Sequence, residues 1–188
     1  MEKFIIQTKR LVLKGITPSI INDLFNTKSK EEIIKFFGVD EKGYEHYREM
    51  HEQGMETHRI SLFAFLIINK ITGLPIGECG FHTLNKTHRR AELFYLLRNE
   101  AYKQKGLMTE ALYYILDFGF NELNLHRVEA LVDKENAPSV RLLNKYGFIK
   151  EGTMREDYVV DGKNEDSDCY SLLKWEWQKL KAAFAIGQ

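Results

Sequence analysis

The sequence has no excess of charge of either sign: lysine plus arginine number 27, aspartate plus glutamate also 27, and the formal net charge is zero. A balanced chain has no global basic field to hold nucleic acid or an anionic membrane. Basic patches with interleaved aromatics are absent as well, so no nucleic-acid partner is expected. Cysteine is scarce. Cys79 and Cys169 stand far apart in different predicted strands, which fits reduced thiols better than a secreted disulfide framework. No apolar run approaches the length of a membrane span, and the opening "MEKFIIQTKRLVLKG" has the layout of neither a signal peptide nor a transit sequence. No repeat, low-complexity segment or Pro/Gly/Ser linker interrupts the chain. These absences predict one soluble, cytoplasmic domain over residues 1–188, long enough to close a hydrophobic core without metal or disulfide staples.

What is present divides into two halves. Residues 4–16 read as a first strand. Thr17-Pro18 is a cap followed by proline at the first helical position, opening a helix through about Asn26. Lys28 to Arg59 is helical in pattern, polar and rich in histidine. "ISLFAFLIIN" (Ile60 to Asn69) and "LPIGECGFHTL" (Leu74 to Leu84) then form a hairpin across "NKITG", and "RAELFYLL" (Arg90 to Leu97) is a third strand. The second half alternates. Met108, Ala111, Leu112, Ile115, Leu116 and Gly119 lay one apolar stripe along a helix from about Leu107 to Asn121. Arg127 to Asp133 is a buried strand, Ala137 to Tyr146 a second helix, and a last hairpin turns at Asp161-Gly162. The order predicts a mixed α/β sheet with helices on its faces.

Two stretches carry chemistry. "YKQKGLMTEAL" (Tyr102 to Leu112) places one glycine between lysines immediately before a helix, where unpaired backbone N–H groups and the positive end of the helix dipole make an anion site. Gly106 lets the chain approach a phosphate closely, and Lys103 and Lys105 add charge. Read alone, the same stretch also describes a solvated loop. It is neither G-x-x-x-x-G-K-[ST] nor G-x-G-x-x-G. In "AELFYLL" both strand faces are apolar except at Glu92, so the strand is expected to be central. A partly desolvated carboxylate there is suited to accept a proton near neutral pH. The alternative is a strand-end glutamate, solvated or paired with Arg89 or Arg90.

Together, "HRRAE", "KGLMTEA" and "VDKENAPSVRLLNKYGFIKEG" resemble the GNAT superfamily of N-acyltransferases, and the last stretch resembles its RimJ/RimL branch. The combination is also similar to spermidine acetyltransferases, and the likeness runs from the first strand to Trp177. It implies a GNAT-like fold, a central, mostly antiparallel sheet of about seven strands flanked by helices, with acetyl-CoA as co-substrate and no metal. In the family's pyrophosphate pattern [QR]-x-x-G-x-[GA], Lys103 and Met108 replace the first and last residues here. The resemblance assigns to the cofactor Lys103, Gln104, Lys105, Gly106, Leu107, Met108 and Thr109, the backbone of Leu96, Leu97 and Arg98 along the pantetheine arm, and Asn136 and Ser139 beside it. Asn136 equally suits a helix N-cap.

Glu92 falls where some members carry a catalytic glutamate. Where many place a tyrosine acid, this sequence has Leu143, so no general acid is assigned. The implied reaction is acetyl transfer from acetyl-CoA by direct attack of a neutral primary amine on the thioester. The amine belongs to a protein N-terminus or to a small molecule. A polyamine or antibiotic acetyltransferase and a non-catalytic acyl-CoA sensor are the alternatives, and a homodimer is left open. The carboxylates Glu31, Glu32, Asp40, Glu41, Glu45, Glu49 and Glu52 either attract a cation or form a solvated helix face, the latter being the commoner arrangement. Neither His46/His51 nor His82/His88 has metal spacing, and Trp175 and Trp177 are expected to anchor the last strand and tail.

Overall fold

A computed structural model describes residues 4–54 and 62–186, with the side chains of 183–186 excepted. Among the described residues, β1 (Ile5–Gln7), β2 (Leu11–Ile16), β3 (Phe63–Asn69), β4 (Pro75–Asn85), β5 (Arg90–Leu97), β6 (Arg127–Val132), β7 (Ile149–Val160) and β8 (Lys163–Leu173) form one eight-stranded sheet in the order β1-β2-β3-β4-β5-β6-β8-β7. The β5/β6 pair is parallel, and β1/β2, β2/β3, β3/β4, β6/β8 and β7/β8 are antiparallel. With the six α-helices of the described residues this is the mixed α+β architecture that the sequence predicts. The chain divides into two compact units, the first up to Leu84 with Phe94–Ile115, the second Asn85–Leu93 with Leu116 onward.

The first unit holds β1 (Ile5–Gln7), β2 (Leu11–Ile16), β3 (Phe63–Asn69), β4 (Pro75–Asn85, but for its last residue) and the later half of β5 (Arg90–Leu97). Three helices accompany them: α1 (Pro18–Thr27), α2 (Lys30–Phe37) and α3 (Glu41–Gln53). Each starts on a side chain suited to the task. The Thr17 and Asp40 side chains accept from Ile20 N–H and Gly43 N–H, and Ser29 and Glu32 form a reciprocal capping box. The carboxylates of this region are largely consumed locally: Glu32 and Asp40 in caps, Glu41 on Lys30, Glu45 and Glu52 on Arg48. That is the solvated-face arrangement. Ile16, Ile21, Leu24, Ile33, Phe37, Tyr47 and Leu66 pack into one cluster, in which the Phe37 and Tyr47 rings stack at 3.6 Å.

One expectation is corrected here. Residues 4–16 are not one strand but two, because Thr8 turns the chain: its N–H donates to the Leu11 carbonyl at 3.0 Å, and the Leu11 N–H donates back to its hydroxyl at 2.9 Å. The described sheet of eight strands agrees with the expected mostly antiparallel sheet of about seven. Of the predicted strand Ile60 to Asn69, residues 60 and 61 lie outside the described residues, as do residues 55–59 of the helical stretch.

The second unit holds the start of β5, the end of α4 (Leu107–Asn121) from Leu116 onward, β6 (Arg127–Val132), α5 (Ala137–Lys145), β7 (Ile149–Val160), β8 (Lys163–Leu173) and α6 (Lys174–Ile186). Asp161 and Gly162, at φ 49° and 78°, make the β7/β8 turn where expected. Trp175 and Trp177 lie on α6, a helix beyond the last strand that the sequence pattern did not mark, and it starts where the Glu176 carboxylate accepts from Leu173 N–H at 2.8 Å. Trp177 is 1% exposed and stacks near Phe120 and Tyr146, and its indole N–H donates to Asp117 at 3.3 Å. Trp175 is 48% exposed under Lys179.

Candidate active site

In the first unit, the end of β5 leads into the glycine-centred stretch. Arg98 N–H donates to the Ile76 carbonyl at 3.0 Å, which ties this end of the strand to β4. A Cβ on Gly77 would stand 2.1 Å from the Leu96 carbonyl oxygen, so only glycine allows β4 so close to β5 here. Asn99 then caps a single 3-10 turn, Glu100–Tyr102, by accepting from Ala101 N–H at 2.8 Å. Gln104 and Gly106 take positive φ, 57° and 70°, and turn the chain into α4. The first helical bond runs from Glu110 N–H to the Gly106 carbonyl at 3.0 Å, so the amides of Leu107 and Met108 precede the helical ladder and crown its positive end. Leu107 is buried and anchors the turn, Met108 is half-buried, and Lys103 to Gly106 are exposed.

Residues from the β1/β2 turn hold this cradle, and nothing in the sequence analysis singled them out. Glu110 accepts from Thr8 Oγ1 (2.5 Å), Arg10 N–H (2.6 Å) and Arg10 Nε (2.6 Å), and Arg10 Nη1 donates to the Lys105 carbonyl at 2.8 Å. Burial pushes the Glu110 carboxyl up, but the hydrogen bonds from Thr8 and Arg10 outweigh it and hold the group below its ordinary value. Partners 100 residues apart leave no local pattern to read. Lys103 donates to Glu100 at 2.5 Å, so its charge is already shared.

Arg98 also brings a side chain that sequence reasoning had used only for its backbone. Its Nη2 lies 3.1 Å from Glu78 Oε2, and Tyr47 Oη donates to the same oxygen at 2.7 Å. Burial, then the Glu78 charge, push the Tyr47 phenol well above the ordinary tyrosine value. Among the described residues, Arg98 Nη1 is buried without a hydrogen-bond partner. Along β5, Leu96 is 50% exposed although the strand is central, whereas Leu93 is buried.

In the second unit, Glu92 is half-buried and stands opposite Glu129 in the parallel β5/β6 register. Glu129 accepts from Arg90 Nη1 (2.9 Å) and Arg127 Nε (2.8 Å), and Arg127 Nη1 donates to Glu151 at 2.7 Å. Ser171 Oγ donates to Glu151 as well, and the Arg127 bonds followed by that of Ser171 hold the Glu151 carboxyl down to about 2. Asn136 is the N-cap of α5, accepting from Ser139 N–H at 3.2 Å, and Leu143 is 1% exposed in the core. The site residues thus fall in two groups: Leu96 to Arg98 and Lys103 to Thr109 in the first unit, Glu92, Asn136 and Ser139 in the second.

A family model described as an acetyltransferase (GNAT) domain matches residues 10–149. The chain belongs to the GNAT family. It is an acetyltransferase that draws its acyl group from acetyl-CoA, the general chemistry of GNAT proteins. The uncharacterized N-acetyltransferase YoaA of Bacillus subtilis is 33% identical over 90% of this chain and 97% of its own length. The uncharacterized N-acetyltransferase p20 of Bacillus licheniformis is 42% identical over 60% of this chain, a match that spans 63% of p20. A GCN5-related N-acetyltransferase structure from Brucella melitensis superposes with a TM-score of 0.72 at 21% identity, covering 99% of this chain and 86% of that one, a likeness of fold. Proteins named for ribosomal and for spermidine acetylation both match, so the GNAT branch is not fixed by likeness. Among the described residues no cluster of three or more His, Cys, Asp or Glu side chains could hold a metal, and no helix is long and apolar enough to cross a membrane.

Proposed function

We propose that this GNAT protein acetylates a primary amine of the protein N-terminal kind, in the manner of RimJ/RimL relatives. Glu92 serves as general base, and the cofactor lies against Leu96 to Arg98, Lys103 to Thr109, Asn136 and Ser139. The observation that carries the cofactor part of the reading is the cradle; the N-terminal amine rests on the RimJ/RimL resemblance. Gly106 at φ 70° puts no side chain of its own beside the first amides of α4, the Arg10 guanidinium bordering that position at 3.6 Å, while Arg10 and Glu110 hold the turn that presents the amides. Such an array binds a diphosphate without side-chain obstruction.

The chemistry follows from what an ammonium lacks, a lone pair. Glu92, directly or through water, removes the proton, and the neutral amine attacks the thioester carbonyl. Alternate amides of a strand face opposite neighbours, so with Arg98 N–H committed to Ile76, the Leu97 amide is the one turned toward the arm. An amide on that side receives the charge that builds on the carbonyl oxygen. The thiolate leaves with an ordinary pKa of about 8.5, so it departs without an obligatory acid, consistent with a buried Leu143 where many relatives have tyrosine. Asn136 contributes here only as far as its capping of α5 allows.

Thiol release over a panel of a free-N-terminal peptide, spermidine and an aminoglycoside tests the proposal. Turnover should be greatest on the peptide. Glu92→Gln should lower kcat by about 10²- to 10⁴-fold with cofactor affinity retained, and Gly106→Glu should abolish binding of coenzyme A. Greatest turnover on spermidine would replace the N-terminal reading with a polyamine one.

A further inference from the structure

Arg10 has one nitrogen left over. Its Nε and main-chain N–H go to Glu110, and Nη1 goes to the Lys105 carbonyl. Nη2 has no hydrogen-bond partner among the described residues. It points at the cradle: among the described residues, and outside the adjoining chain, Arg10 Nη2 is the heavy atom within 4 Å of the position a Cβ on Gly106 would take, at 3.6 Å. The volume that glycine leaves open is therefore bordered by a guanidinium edge. Because the remaining nitrogens are fixed by a carboxylate and a carbonyl, that edge is oriented before any ligand arrives.

Resting on the cofactor reading above, we infer that Arg10 is a diphosphate-binding residue, donating through Nη2 to an oxygen of the coenzyme A pyrophosphate. Charge supports the assignment. A diphosphate brings two negative charges, and of the nearby cations Lys103 is already held by Glu100. Glu110 stays ionised in the clamp, so it keeps the guanidinium in place and spends most of its own charge on it. The Arg10 fork then spans three acceptors: a carboxylate, a peptide carbonyl and a phosphate oxygen. Lysine offers no planar fork for this geometry.

The test uses the full chain with three ligands, coenzyme A, dephospho-coenzyme A and pantetheine, in calorimetry of the wild type, Arg10→Met and Arg10→Lys. Both variants should bind coenzyme A and dephospho-coenzyme A about tenfold to a hundredfold more weakly, the range of a charge-assisted hydrogen bond. Pantetheine, which lacks the diphosphate, should bind all three proteins within twofold. In parallel, the side-chain Nε–H resonance of Arg10, assigned in the wild type by through-bond correlation to the Arg10 backbone, should shift during titration with coenzyme A and stay fixed with pantetheine. That resonance separates contact from mere support of the turn and needs no folded variant. An unmoved resonance while coenzyme A binds overturns the assignment, as does unchanged coenzyme A affinity in the variants. A loss seen with coenzyme A but not with dephospho-coenzyme A would move the contact to the 3′-phosphate and overturn it equally. Should the wild type bind no coenzyme A at all, the cofactor reading itself falls, and the Arg10 assignment with it.

Discussion

Replacing Glu110 by alanine removes the acceptor on which the β1/β2 turn closes. Three short bonds vanish, from Thr8 Oγ1, Arg10 N–H and Arg10 Nε, around a carboxylate whose side chain is only 13% exposed. A hydrogen bond to a charged group contributes about 1.5–3 kcal/mol. The exposed Arg10 guanidinium recovers part of its share from water, whereas the Arg10 amide and Thr8 hydroxyl recover less. The expected loss is about 3–5 kcal/mol, which for a chain of this size lowers the melting temperature by about 6–20 °C. Urea midpoints at neutral pH measure it directly, with Glu110→Gln as the charge-removing control. The pH dependence has a definite sign. The folded carboxyl is held below its ordinary value of 4.5, so its contribution is complete above that value and is lost as pH falls through the folded value. Wild type and Glu110→Gln should therefore converge only in acid, below pH 4.5. A difference under about 1 kcal/mol at neutral pH, or one that does not change with acid, would refute the clamp as a stabilising device.

Three further outcomes rest on other contacts of the fold. Gly77→Ala sets a methyl 2.1 Å from the Leu96 carbonyl oxygen and should destabilise by about 3 kcal/mol or more, with cofactor affinity falling as the end of β5 shifts; unfolding and calorimetry check both. Trp177→Ala empties a site that is 1% exposed and should cost about 3–5 kcal/mol, read as an early loss of near-ultraviolet signal on heating. Tyr47 has its phenol pushed up by burial and then by Glu78, so its bond to Glu78 persists below the ordinary value of 10.0 and is lost as pH rises through the folded value. Tyr47→Phe should accordingly lower stability by about 1–2 kcal/mol at neutral pH, and alkaline titration of wild type should show one phenol ionising far later than the rest.

Much of this fold was written in local pattern. The α4 stripe and the glycine before it place the helix at Leu107–Asn121, and the two-sided apolar run places β5 at Arg90–Leu97, both as found. The Asp161-Gly162 turn was equally plain, since that pair suits paired positive φ angles. Where pattern failed, the determinant was remote or ambiguous. "IIQTKRLVLKGI" contains no Gly or Pro at its bend, because the turn is stabilised by Thr8 itself and by a glutamate 102 residues on. "KWEWQKL" alternates like a strand over its first residues, and only the reach of Glu176 back to Leu173 marks a helix start. The glycine turn into α4 was legible as a helix start, and Gly106 does take positive φ there. The Arg10 clamp and the Tyr47–Glu78–Arg98 cluster were not legible, since each is assembled from segments that share no periodicity.

Strand β7 ends the sheet order with β8 as its neighbour, and nearly all of its residues face solvent. A long unpaired border of this kind invites another chain to add on by backbone pairing. The strand carries its own deterrents: register shifts between Lys150 and Gly152 and between Met154 and Tyr158, and a charged run at Arg155, Glu156 and Asp157. Glu156 stands at φ 52° and gives its N–H to the Asp166 carboxylate at 2.9 Å, so even the donor there is withdrawn. Straightening this border, by deleting the bulged residues, should make the protein self-associate through its rim and scatter more light than the wild type as its concentration rises.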